Sequence, residues 1–264
     1  MNHLSSETFK ENAKAALADV QLRGALKNAT SLFGERRKRA AASLPNWEDL
    51  RSQARAIKDE VLLHLDRYLE EFVRNAESRG ATVHWARDAA EANTIICGLA
   101  TERAARIVVK SKSMTTEEIH LNAALERAGM HVVETDLGEY IIQLAHETPS
   151  HIIAPAIHKT KRQVAELFTA ELGMAPTDDV DQLTSTARST LRERFATADA
   201  GISGVNFGIV ETGTIVIVEN EGNIRLTTSL PRNFSIPFAT SISAFSRFRR
   251  APCLWKRTAA TAPW

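Results

Sequence analysis

The 264-residue chain predicts an α/β fold: a mostly parallel sheet covered by helices, with a helical segment in front of it. Three observations predict it. From Gly80 onward, short apolar runs alternate with stretches of helical period, the pattern of strands joined by helical crossovers. Helix-capping pairs follow directly on two of the strand ends. Before Gly80, only helical periodicity is present.

Residues 1–79 form the helical segment, with Pro45 near the start of its second half and Gly80 at its end. Ile57, Val61, Leu62, Leu65, Tyr68, Leu69 and Phe72 recur at steps of three and four, an apolar stripe that must dock on other structure. The basic run "ERRKRAA" at 35–41 is expected to be a solvated helix face.

Residues 80–232 form the α/β domain. Strands are expected at 81–86, 106–110, 131–135 and 151–155, with helices at 88–103, 115–128, 137–147 and 159–172. Thr115 with Glu118, and Asp136 with Glu139, have the spacing of capping boxes. A further helix is expected at 180–197, followed by glycine-punctuated strands from Gly201 to about Thr228. In that region Thr214–Val218 reads as a buried strand and "ENEGN" as the turn after it, with Gly222 and Asn223 suited to positive φ.

The tail, 233–264, differs in kind. It holds no Asp or Glu, five basic residues and six aromatics, and follows neither period. It is expected to be disordered or partner-bound, or to have left its ancestral reading frame near Asn233.

The net charge of +1 excludes polyelectrolyte behaviour, and no nucleic-acid partner is expected. No apolar run is long enough to span a bilayer, and the N-terminus lacks a secretory apolar core, so a cytoplasmic protein is expected. Two cysteines, Cys97 and Cys253, exclude a disulfide framework and any four-cysteine metal centre within this sequence. Cys97 is expected to be a small buried hydrophobe.

Candidate site residues fall in two stretches. "VKSKSMTTEE" sets Lys110, Ser111, Lys112 and Ser113 between a strand's carboxyl end and a helix start, where parallel sheets collect ligands, so a small carboxylate or phosphate is the expected guest. "GIVETGTIVIVENEGN" (208–223) places Glu211, Thr212 and Gly213 before the apolar strand, and Glu219 and Glu221 after it. Glu211 sits in an apolar, glycine-rich setting where desolvation would lift its pKa toward acid/base use; Glu219 is the second candidate catalytic carboxylate. His146, His151 and His158 are read as ordinary surface or core histidines, and no metal site is expected. Without further information the chain reads as a scaffold with a site, a transferase or isomerase acting on a CoA ester or sugar phosphate, or a non-catalytic interaction module.

The segments "VKSKSMTTEEIHLNAALERAGMHVVETDLGEYIIQLAHETPSHIIAPAIHK" and "AGISGVNFGIVETGTIVIVENEGNIRLTTSLPR" resemble the LUD family of lactate-utilization proteins, and the resemblance runs over residues 1–232. It implies a fold similar to the sugar-isomerase and CoA-transferase type. It also implies a role, with two other lactate-utilization subunits, in oxidising L-lactate to pyruvate by electron transfer. Family members continue into a ferredoxin-like part holding [4Fe-4S] clusters; this sequence is expected to stop short of that part. No cofactor is therefore expected in this chain, since each cubane takes about four thiolates.

Overall fold

A computed structural model describes residues 8–150, 153–231, 234–238 and 245–246, the last two stretches as backbone alone. In chain order it has helices α1 (Phe9–Ala18), α2 (Val20–Ala42), α3 (Trp47–Leu63), α4 (Leu65–Glu77) and α5 (Ala89–Glu102), then strand β1 (Ile107–Lys110). Helices α6 (Met114–Glu118) and α7 (Leu121–Arg127) precede β2 (His131–Glu134), and α8 (Leu137–Leu144), α9 (Lys161–Leu172) and α10 (Val180–Thr197) precede β3 (Ala200–Gly204). After these come β4 (Phe207–Ile209), β5 (Thr214–Val216), α11 (Asn223–Ser229), β6 (Phe234–Phe238) and β7 (Phe245–Ser246). The described residues fall into two compact units. One takes those of Met1–Asp49, His84–Gly204 and Ile217–Thr240, the other those of Leu50–Val83, Val205–Val216 and Ser241–Trp264.

The first unit is built on a parallel sheet of order β2-β1-β3-β6. Side chains of a strand alternate between faces, and both faces here are apolar. Val108, Val132, Ala200 and Ile202 pack with Ile96, Ala100, Leu121 and Leu125 of α5 and α7. Val109 and Val133 pack on the other face with Tyr140 of α8 and with Leu191 and Phe195 of α10. Cys97 is partly buried against the first of these clusters, and burial pushes its thiol pKa up. Gly201 lets α11 close on the sheet, because a Cβ there would stand 1.8 Å from the Thr227 carbonyl oxygen.

The second unit pairs α4 with a hairpin. β4 and β5 run antiparallel, joined by a short 3-10 helix, Val210–Thr212, and β7 lies parallel to β4. Val61, Tyr68 and Val210 form its small core with Leu65 beside them. Asn75 donates its side-chain amide to the Val210 carbonyl at 2.7 Å. Gly213, with φ +61°, brings the hairpin so close to α4 that a Cβ would lie 2.2 Å from the Ala76 nitrogen.

Several expectations are corrected. Residues 81–86 are not a strand: all but Val83 are exposed, so the segment has no apolar face to bury and takes no ladder partner. Of the strand expected at 151–155, His151 and Ile152 lie outside the described residues, and 153–155 belong to turns closed by Ile157 N–H to Ala154 O and Ser150 N–H to Pro155 O. The helix expected at 115–128 is two helices, broken at His120, whose φ is +53°. Its cap is Ser113, not Thr115; Ser113 Oγ accepts from Thr116 N–H at 3.4 Å. Thr214–Val216 is a half-exposed hairpin strand, not a buried one, and Val218 is exposed. Asn223 opens α11 with a negative φ, Gly222 alone taking the left-handed conformation. Leu62 of the apolar stripe is 53% exposed, whereas Val61 beside it is 2% exposed. In the tail, Phe234–Phe238 and Phe245–Ser246 are strands; the rest of 233–264 lies outside the described residues.

Candidate functional site at the carboxyl edge of the parallel sheet

The chain leaves β1 for β2 on one side and returns to β3 on the other. The carboxyl ends of β1 and β3 therefore flank the sheet's switch point, where connecting loops part and ligands bind in open α/β sheets. The KSKS loop, 110–113, rises there. Gly204 at the end of β3 comes so close that a Cβ would touch Ser113 at 3.4 Å and the Lys112 carbonyl oxygen at 3.5 Å. Ser111 N–H donates to the Ile202 carbonyl at 2.9 Å, and its hydroxyl reaches the same oxygen at 3.4 Å.

Lys110 and Glu134 end neighbouring strands in direct register. Both follow the alternation of Val108 and Val132 onto the face that α5 and α7 cover. The Lys110 ammonium meets Glu134 Oε1 at 2.8 Å, Thr116 Oγ1 at 3.1 Å and Glu117 Oε1 at 3.3 Å, so each of its three N–H bonds has an oxygen within reach. Burial alone would lower the Lys110 pKa, but Glu134 and Glu117 outweigh it and hold the ammonium charged. For Glu134 burial is the larger effect. It lifts the carboxyl above its ordinary range, with Lys110 and Asn122 offsetting only part.

Of the loop's two lysines, Lys112 is the one outside that buried cluster. It is half-buried, and its charge acts on Glu221. Glu221 accepts weakly from Leu137 N–H at 3.4 Å; burial and the neighbouring Asp136 raise its pKa. The "ENEG" segment is an exposed turn, with Glu219, Asn220 and Glu221 all exposed, and the Glu221 carboxylate reaches the start of α8. Glu219 there accepts from Arg225 N–H at 2.9 Å, an acid at the positive end of α11. Thr135 and Thr227 share a buried hydroxyl contact at 3.2 Å beneath it.

Glu211, Thr212 and Gly213 belong to the other unit. Both Glu211 carboxylate oxygens are enclosed and have no hydrogen-bond partner, while the Thr212 hydroxyl donates to Thr214 at 2.9 Å. His158 binds Glu147 at 2.7 Å and Lys159 pairs with the same carboxylate, so this histidine serves a local ion pair; His151 lies outside the described residues. Sequence reasoning missed Glu134 and read Asp136 with Glu139 only as a helix cap. The available signal was Glu134 itself, an acid ending an apolar strand whose parallel neighbour ends in a lysine.

The LUD domain family matches residues 69–236, which include strands β1, β2 and β3 and both candidate stretches. This chain belongs to the LUD-domain family. Among its relatives, lactate utilization protein B of Anoxybacillus flavithermus is 44% identical over 230 residues, 87% of this chain and 49% of that protein. The proteins of the same name from Bacillus velezensis and Bacillus subtilis are 44% and 43% identical over 230 residues, each covering 87% of this chain and 48% of the relative. The chain thus spans about half the length of these curated relatives. No solved structure matches it. Among the described residues, no helix of this LUD domain is long and apolar enough to cross a membrane.

Proposed function

We propose that this chain supplies the LUD half of a subunit that works with two other lactate-utilization subunits to oxidise L-lactate to pyruvate. Its own part is to hold a small carboxylate or phosphate at the carboxyl edge of its sheet. The observation carrying the first statement is the 44% identity over 87% of the chain to a lactate utilization protein B. The second rests on the placement of Lys112 in the KSKS loop at the switch point. Kinship of the fold with the sugar-isomerase and CoA-transferase type belongs to the same proposal.

In this reading Lys112 contributes the charge that attracts the anion, and the Ser111 and Ser113 backbone and hydroxyl groups shape the loop around it. Lys110 pairs with Glu134 and ties the two strand ends together instead of meeting the guest directly. The [4Fe-4S] clusters implied by the family do not fit the residues present. Of two cysteines, Cys97 packs in the core and Cys253 lies outside the described residues, whereas a cubane takes about four thiolates. Electron transfer through such a cluster would use thiolates beyond this sequence.

A second reading rests on the enclosed, partnerless carboxylate of Glu211. There Glu211, next to Thr212 and Gly213, would be the acid/base or nucleophile of a transferase or isomerase taking a CoA ester or sugar phosphate.

An exchange tests the proposal. In Bacillus subtilis lacking its own lactate utilization protein B, the matching half of that protein is replaced by this chain. Growth on L-lactate is expected; a chimera that accumulates as soluble protein yet restores no growth would overturn it.

A further inference from the structure

We propose that Asn223 is a second binding residue of the anion site, its side-chain amide meeting, together with Lys112, a small monocarboxylate in preference to phosphate. This assignment rests on the reading of Lys112 given above and adds the group that selects among guests. Asn223 is 9% exposed, yet among the described residues its side-chain amide has no hydrogen-bond partner. A buried polar group left so is costly unless something completes it. The Oδ1 atoms of Asn93 and Asn122 also lack partners, but those are sealed in, whereas the Asn223 amide is not.

The fold points that amide at the sheet's carboxyl edge. Thr227, one turn further along α11, faces the sheet: it is fully buried, its hydroxyl meets Thr135 at 3.2 Å, and its carbonyl oxygen closes on Gly201. α11 leads back from the edge to β6, which runs parallel to β3. Residues four apart share a helix face, and helical side chains tilt toward the N-terminus, so Asn223 faces the sheet and leans toward the edge. By strand alternation Ser111, Thr135 and Ser203 fall on the same face as Val109, Val133 and Gly201, and all three are buried. The floor beneath Asn223 is thus one of hydroxyls and not of apolar side chains.

Lys112 reaches the same stretch of the edge, since its charge acts on Glu221, two residues before Asn223. The amide nitrogen donates to a carboxylate oxygen as an ammonium does, so the two groups suit the two oxygens of one carboxylate. Charge sets the choice of guest. Lys110 is committed to Glu134 at 2.8 Å and Arg225 is paired with Glu219 at 3.9 Å, which leaves Lys112 to face the guest beside the acids Glu221 and Asp136. Phosphate carries more than one negative charge near neutral pH, and its further charge would meet carboxylates and a neutral amide instead of a second cation. A monocarboxylate brings a single charge.

Calorimetric titration of pyruvate and of inorganic phosphate into the parent, Lys112→Ala, Asn223→Ala, Asn223→Asp and Asn28→Ala tests the assignment. The parent is expected to bind pyruvate more tightly than phosphate, by roughly tenfold or more. Asn223→Ala should weaken pyruvate about tenfold and Asn223→Asp further still, while Asn28→Ala, on an exposed stretch of α2, changes nothing. A folded parent that binds neither anion overturns the anion site, and the role of Asn223 with it. Pyruvate binding that falls in Lys112→Ala but survives both Asn223 variants leaves the anion site standing and overturns the role of Asn223 alone. Phosphate bound as tightly as pyruvate overturns the selection, and the parent reports this even where an Asn223 variant fails to fold.

Discussion

Lys110 and Glu134 are ladder partners on adjacent parallel strands, and their side chains meet at 2.8 Å where neither is exposed beyond 3%. A buried pair of this kind is costly to break from one side, because the remaining charge is stranded without water. Lys110→Met is expected to destabilise the first unit by about 3–5 kcal/mol, and adding Glu134→Gln should return part of that loss. Urea denaturation of the parent, the two single variants and the double variant measures the coupling; additive losses would show that the pair does not act as a unit.

Two glycines bind the fold through close approach. Gly201→Ala places a methyl group against the Thr227 carbonyl, and Gly213→Ala adds a positive φ to a clash with the Ala76 backbone. Each should lower stability by about 1–3 kcal/mol or more, since backbone must move to make room. Gly24→Ala, where nothing lies within 4 Å, is the control and should leave melting unchanged or slightly raised.

Val61 and Leu62 are adjacent in sequence and opposite in consequence. Val61 packs with Tyr68 and Val210, while Leu62 is largely exposed. Val61→Asp buries a charge and is expected to cost several kcal/mol, roughly 3 or more, whereas Leu62→Asp should fall within about 0.5 kcal/mol of the parent. Thermal melting of the two variants checks the assignment.

Glu221 and Glu147 should respond to pH with opposite signs. Burial and Asp136 raise the Glu221 pKa. A carboxyl raised in the fold lends its stability below its unfolded pKa and loses it as pH rises through the folded value. Glu221→Gln is therefore expected to be more stable than the parent at about pH 7, with the gap closing toward about pH 4. For Glu147, burial acts upward, but hydrogen bonds and charge from Lys159 and His158 prevail and hold the carboxyl below its ordinary range. Its contribution is present above the unfolded pKa and lost as pH falls through the lowered one. Glu147→Gln should thus melt lower at neutral pH, by less than about 1 kcal/mol because the side chain is partly exposed, and converge with the parent in acid.

The elements legible in the sequence were those with strong periodicity and local capping. Helix 180–197 matches α10, Asp136 caps α8 through Glu139 N–H, and the apolar runs around Val108 and Val132 are the paired strands β1 and β2. The runs at 81–86 and 153–155 carried strand-like residues but no ladder partner, and local pattern does not report pairing. Ser113 outcompeted Thr115 as cap because the chain turns at the end of β1, two residues earlier than the T-x-x-E spacing suggests. The site was half legible. The KSKS loop stood out as a strand-to-helix junction, but Glu134 and Glu221 acquire their surroundings only from long-range folding. The first meets Lys110 across a strand pairing, and the second reaches Asp136 and Lys112 from a loop more than eighty residues away.

Lys112 carries the charge on which the proposed anion site depends. Calorimetric titration of L-lactate, pyruvate, phosphate and a CoA ester into the parent, Lys112→Ala and Glu211→Gln tests it directly. A small carboxylate or phosphate is expected to bind the parent, Lys112→Ala to weaken it about tenfold, as loss of one charge-assisted contact of about 1.4 kcal/mol would, and Glu211→Gln to leave it unchanged. Absence of binding by a folded parent would contradict it, as would binding that survives Lys112→Ala and disappears in Glu211→Gln.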